Sequence, residues 1–250
     1  MGRCSLGGIM KFVGIVGSIQ KESYNKKLLN FVKNKFKNLI DIEILDINGV
    51  PLFNQDLKSK DYPILKELND KIIDSDGVII VTPEHNFTIP ALLKSLIEWL
   101  SFEYHPFTNK PVMILGASYT EQGSSRAQLH LRQILDSPGV DALVMPGSEY
   151  LLSNAKEKFD ENGDITDERT IDYTEHVLLR FIKFAEIANQ LNLESLNTNY
   201  IKKKNEGSYK IVDNPYANET TGPSETSGAS EALESSETNN DTETSGASEY

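Results

Sequence analysis

The chain has a single cysteine, Cys4, in 250 residues. One thiol excludes an internal disulfide framework and a thiolate metal cluster, and the expected metal content is none. No apolar run approaches the roughly 20 residues that a membrane-crossing helix needs. The opening MGRCSLGGIM is too short and too glycine-rich for a signal-peptide core. Residues 1–9 therefore read as a loose extension before Met10, no membrane insertion is expected, and the expected compartment is cytoplasmic. Positive charge is also scarce: 25 Lys and Arg face 37 Asp and Glu, a net charge of −12. With no basic stripe, partners of nucleic-acid or anionic-membrane type are excluded.

The acidity is uneven. After Lys210 there is no basic residue, while nine acids follow it, from Asp213 to Glu249. The preceding body then holds 28 acids against 25 bases, close to neutrality.

Along that body, apolar runs alternate with helical patterns. KFVGIVG (11–17), GVIIVTP (77–83) and KPVMILGAS (110–118) read as buried strands, IDIEILDI (40–47) as an alternating one, and VDALVMP (140–146) as a fifth. Between them, Leu28, Leu29, Val32 and Phe36 recur at helical spacing. PILKELNDKIIDSD, IPALLKSLIEWLS and SSRAQLHLRQILDS supply three more helices. A turn, FDENGDITDE, precedes a long last helix with Thr166 as its expected N-cap. Five alternations specify an α/β fold with a parallel sheet covered on both faces. Ligands of such sheets bind beyond the carboxyl ends of the strands, which directs attention to three loops.

The first loop, GSIQKESYN (17–25), sets Ser18, Ser23 and Asn25 beside backbone amides at a helix start. This suits a phosphate dianion and equally suits ordinary turn and cap chemistry. Without GK[ST] or G-x-G-x-x-G it disfavours ATP and Rossmann dinucleotide sites. The second, TPEHNFTIP (82–90), is stiffened by two prolines and presents Glu84, His85 and Asn86. It fits the edge of a flat heterocycle, or alternatively a plain surface turn. No second His or Cys lies at metal-ligand spacing. The third, GASYTEQGSSR (116–126), is small and polar around Tyr119, with Arg126 placed to pair with an anion or cap the next helix.

GSIQKESYN, PEHNFTIPALLKSLIEW, RAQLHLRQIL and FDENGDITDE together make the chain resemble the NAD(P)H-dependent FMN reductase family, whose relatives reduce quinones, azo dyes and chromate. The resemblance covers about residues 10–188. It implies a flavodoxin-like three-layer sandwich with five parallel strands in the order 2-1-3-4-5. It implies that Ser18, Gln20, Ser23 and Asn25 surround the FMN phosphate. Pro83, Glu84, His85 and Asn86 would hold the isoalloxazine edge, largely through backbone groups, and the loop carrying Ser118, Tyr119 and Gly123 would close over the ring. Gln20 stands where the family usually has arginine, and His85 where it usually has tyrosine.

NADH or NADPH would be the substrate, and a flavin or quinone the acceptor, with no catalytic side chain required. A homodimer or tetramer is implied, with Trp99 in the core or an interface. A flavodoxin-like electron carrier is the alternative reading, and a colourless phosphate-binding module a third. His105 is expected in a turn, His130 packed or at a subunit contact, and DENGD in a turn rather than a calcium loop, since Ile165 replaces the required glycine.

Beyond about residue 204 hydrophobic residues are scarce, so 10–204 reads as the reductase domain and 205–250 as a disordered acidic tail. The tail repeats ETSGASE, at 225–231 and 243–249. SGAS resembles the acceptor motif of FAD:protein FMN transferases. The resemblance implies that Ser230 and Ser248 carry covalent FMN, with Ser224 a weaker match because Pro223 replaces alanine. The other reading is a solubilising linker.

Overall fold

The computed structural model describes residues 8–147 and 149–191. Four strands form the centre of the sheet: β1 (Met10–Val16), β2 (Ile40–Leu45), β3 (Gly77–Val81) and β4 (Pro111–Ala117). With β5 (Leu143–Val144) the order is β2-β1-β3-β4-β5, and all pairs are parallel. This is the flavodoxin-like order.

The outermost position differs from the sequence pattern. The expected strand over 140–146 pairs through only two residues, against Pro111 and Val112. Pro146 offers no amide to continue the ladder, and Gly147 turns the chain at φ +68°. The chain re-enters as β6 (Tyr150–Leu152), which pairs with Leu115–Ala117 further along the same edge of β4.

Side-chain alternation along the strands builds two cores. Val78 and Ile80 of β3 join one cluster, Ile79 and Val81 the other. On one face, α1 (Tyr24–Lys35) and α6 (Glu168–Gln190) contribute Leu28, Leu29, Val177, Leu178 and Phe181. On the other lie α2 (Pro63–Asp74), α3 (Ala91–Glu103) and α4 (Ser125–Leu135). Burial on both faces explains why β3 and β4 read as unbroken apolar runs. In β1, a Cβ on Gly14 would come within 2.7 Å of Leu29, so the glycine sets how closely α1 packs.

The last helix begins one residue later than expected. Asp167, not Thr166, is its N-cap and accepts from the Thr170 amide at 3.1 Å. Before it, Asp160 Oδ1 accepts the amides of Asn162 and Asp164, both at 2.9 Å, closing DENGD as a turn. The short α5 (Ala155–Lys158) links β6 to this turn. Trp99 is fully buried in the core, and its Nε1 donates to Pro51 O at 3.0 Å. Residues 1–7, the domain boundary at 204 and the tail with Ser224, Ser230 and Ser248 lie outside the described residues.

Candidate functional site

Because every strand pair is parallel, the loops following β1, β3 and β4 leave the sheet at one edge. The first passes from β1 into α1. Gly17 donates to Val81 O at 2.8 Å, tying the loop to the end of β3. A Cβ there would approach Leu93 and Thr82 to about 3 Å. Ser23 is buried and caps α1, its Oγ accepting the Lys26 amide at 3.4 Å. Among the backbone amides of residues 19–25, only that of Gln20 has an acceptor among the described residues, Ser18 Oγ at 3.3 Å. A row of free N–H groups at a helix start, beside the Ser18 and Ser23 hydroxyls, is the donor set a phosphate monoester needs. On this observation the loop fits FMN. Gln20 is exposed and adds no charge.

Asn25 has another duty than the phosphate contact its position suggested. Its side chain is buried, Nδ2 donates to Ala117 O at 3.0 Å, and Oδ1 accepts the Ala117 amide at 2.9 Å. β3 ends at Val81, so the last residue of β4 lacks a strand partner on that side. The Asn25 amide supplies one, and thereby joins the first loop to the third.

In the second loop, His85 donates to Thr88 O at 2.8 Å and Thr88 back to His85 O at 3.0 Å. Asn86 and Phe87 form the tip at φ +49° and +65°, the tight two-residue turn that usually selects Asn-Gly. The His85 amide and the Pro83 carbonyl, which accepts Thr82 Oγ1 at 2.9 Å, are thus engaged within the protein. Among residues 84–88, the amides without an acceptor among the described residues, and so left to face a heterocycle, are those of Glu84, Asn86 and Phe87. Phe87 was not singled out by the sequence pattern. It is 62% exposed, with the Arg126 guanidinium 4.3 Å from its ring centre.

Glu84 does not present its carboxylate to the rim. Oε2 accepts the amides of Arg126 and Ala127 at 3.0 and 3.4 Å, while Oε1 lies 3.2 Å from Arg126 Nη1. It caps α4 from outside the helix, a duty no nearby residue performs: Ser124, at the helix start, makes no side-chain cap and has φ +73°.

The third loop leaves β4 at Ser118, whose amide donates to Leu152 O at 3.0 Å. Ser118 Oγ bonds Thr120 in turn. Tyr119 is 63% exposed and meets the edge of Tyr24, which is itself stacked on Phe159. Gly123, at φ +57°, lies so close to β6 that a Cβ would come within 2.6 Å of Leu151.

Of the other histidines, His130 touches the second loop, and His105 and His176 lie outside the three loops. His105 turns the chain at φ +56°, its Nδ1 3.1 Å from Gly139 O. His130 Nδ1 is 3.0 Å from Thr88 Oγ1 on the outer side of the second loop, and His176 is exposed. Among the described residues no group of three His, Cys, Asp or Glu is placed to hold a metal ion, and no helix is long and apolar enough to cross a membrane.

Residues 10–157 match the family model described as NADPH-dependent FMN reductase. The chain is 40% identical over 182 residues to the NADH:(hydroxy)cinnamate reductase subunit CrdA of Vibrio ruber, covering 73% of this chain and 90% of that one. It is 39% identical over 186 residues to the NADH-dependent flavin reductase subunit 2 of Lactobacillus johnsonii, covering 72% and 100%. Among solved structures, it superposes on the NAD(P)H:(acceptor) oxidoreductase FerB of Paracoccus denitrificans with a TM-score of 0.66 at 27% identity. That match covers 72% of this chain and 99% of FerB.

Proposed function

This chain belongs to the NADPH-dependent FMN reductase family, and on that footing we propose that it passes hydride from NADH or NADPH to FMN and then electrons to a flavin or quinone. The observation that carries the proposal is the set of amides at residues 19 and 21–25 that have no acceptor among the described residues, at the carboxyl edge beside two other ligand-type loops. When bound, FMN supplies the hydride-accepting and electron-releasing chemistry. The chain's own residues bind and orient. The first-loop amides with Ser18 and Ser23 would hold the phosphate, the amides of Glu84, Asn86 and Phe87 would face the ring edge, and residues 118–123 would cover the ring. Tyr119 and Phe87 border the face left open to nicotinamide and acceptor in turn, which gives ping-pong kinetics. His85, exposed on the rim, is not needed as an acid or base.

The domain for this chemistry is 10–204, working as a homodimer or tetramer. The tail, 205–250, would extend it: Ser230 and Ser248 would carry FMN attached by an FAD:protein FMN transferase, and there it would supply an onward path for electrons.

Steady-state NADH and NADPH oxidation by FMN-loaded protein tests the core proposal. Failure with quinones, flavins and ferricyanide alike overturns it in favour of a flavodoxin-like carrier. For the tail, intact mass is compared with and without a co-produced transferase. Flavin that survives denaturation and is lost in Ser230→Ala with Ser248→Ala supports the relay; an unchanged mass overturns it.

A further inference from the structure

A hollow lies behind the third loop, and nothing in the flavin chemistry uses it. It has a volume of about 380 Å³ between β6 and the start of α6, lined among others by Ser153, Asn154, Lys158, Arg169, Thr170 and Tyr173. That volume lies at the lower end of the range for small-ligand sites. β6 runs parallel to β4 with Leu152 opposite Ala117, so the hollow opens at the edge where the cofactor loops leave the sheet. Two of its lining residues anchor the third loop. Ser153 Oγ donates to Glu121 O at 2.6 Å, and the Asn154 amide to Thr120 O at 3.2 Å.

Its chemistry is cationic and aromatic. Among the described residues, the carboxylate that pairs with Lys158 is Asp167, at 3.7 Å, beyond the roughly 2.7–2.9 Å of a strong charge-assisted bond. Arg169 has no ion pair among the described residues. Tyr173 is stacked on buried Tyr150, ring centres 5.7 Å apart and 18° from parallel. Its hydroxyl donates to Glu149 O at 3.0 Å, which fixes the ring while 47% of the residue stays exposed. Guanidinium and ammonium groups pair with phosphate oxygens, and a fixed aromatic ring offers a flat base a stacking surface.

We propose that this hollow binds the adenosine diphosphate half of the nicotinamide dinucleotide, with Arg169 and Lys158 on the diphosphate and Tyr173 against the adenine. The assignment rests on the reductase reading and adds to it where the non-reacting end of the substrate is held. Binding energy from that end lowers KM without taking part in hydride transfer. It applies to NADH and NADPH alike.

The test is a calorimetric titration of FMN-loaded full-length protein with ADP, which carries the diphosphate and adenosine but no transferable hydride. Expected is saturable binding that weakens at least tenfold in Arg169→Ala with Lys158→Ala, and about as much in Tyr173→Ala. In the double variant KM for NADH and NADPH should rise at least fivefold, with kcat and FMN affinity unchanged. Arg169 is exposed and Lys158 half-buried, so the double variant is expected to fold; an unchanged far-UV spectrum and melting temperature verify this. Undiminished ADP binding in the variants overturns the proposal, as does inorganic phosphate binding as tightly as ADP. Wild-type protein that binds ADP through these residues yet oxidises no NADH or NADPH overturns the reductase reading alone.

Discussion

The carboxylate of Glu84 accepts the backbone amide of Arg126 at 3.0 Å, across 42 residues, and so caps a helix that its own N-terminal residue leaves uncapped. The same carboxylate holds the Arg126 guanidinium, which in turn covers Phe87. One acid thus couples the second loop to the third at the point where the ring should lie. Replacing a capping side chain costs about 0.5–2 kcal/mol, and the partly exposed ion pair adds less than about 1 kcal/mol. Glu84→Ala should therefore lose roughly 1–2 kcal/mol in urea denaturation, with weaker FMN binding. Glu84→Gln keeps an acceptor for the amides and should lose about half as much.

Asn25 couples the first loop to the third through both polar atoms of one amide. Asn25→Ala leaves the buried amide and carbonyl of Ala117 without partners, each worth about 1–3 kcal/mol. A loss near 3 kcal/mol is expected, with FMN release accelerated as residues 118–123 come free. Asn25→Asp keeps an acceptor for the Ala117 amide but sets an anion against its carbonyl. It should bind FMN more weakly than wild type, and more weakly still as the new carboxyl ionises. Equal FMN affinity in all three proteins would show that the clasp does not position the site.

Much of this was legible in the sequence. Continuous apolar runs placed β1, β3 and β4, because burial on both faces demands them; alternation placed β2, and period-3.6 patterns placed the covering helices. The fifth strand was placed within 140–146, but its shortening to two residues and the continuation of the edge as β6 were not legible, since they depend on which edge residues of β4 remain open after Pro146 and Gly147 turn the chain. The loops were identifiable as ligand-type from their residues, but the division of labour within them was not. Asn25, Glu84 and the His85 amide read as ligand groups because they lie beside such groups in sequence. Their partners are 92, 42 and 3 residues away, and the two distant ones appear only when the sheet assembles.

Gly123 joins two demands, a left-handed φ of +57° and contact with the backbone of Leu151 at about 3 Å from any added Cβ. The left-handed region costs a non-glycine residue roughly 1–2 kcal/mol, and the clash cannot be relieved by a rotamer change. Gly123→Ala should lose at least about 2 kcal/mol in urea denaturation and displace the third loop, read as weaker FMN binding. A glycine without either demand gives the control: Gly139 has open space where a Cβ would stand, and Gly139→Ala should leave FMN binding unchanged.

Tyr150 gives the fold a defined alkaline limit. Burial pushes its hydroxyl up to about 12, against a partial lowering by its hydrogen bond to Thr174. In the unfolded chain the phenol ionises near 10. Between these values the unfolded state releases a proton that the folded state retains, so stability falls as pH rises. Below about pH 10 the contribution is complete, and it is lost progressively through the window from about 10 to about 12. Tyr150→Phe removes the ionisation and also the 2.8 Å bond to Thr174, whose own Oγ1 still donates to Thr170 O. Its stability at pH 7 should therefore drop by only about 1 kcal/mol, while the decline above pH 10 becomes shallower than in the wild type. Parallel decline of the two proteins across that window, measured by urea midpoints from pH 8 to 11.5, would assign the alkaline limit to other groups.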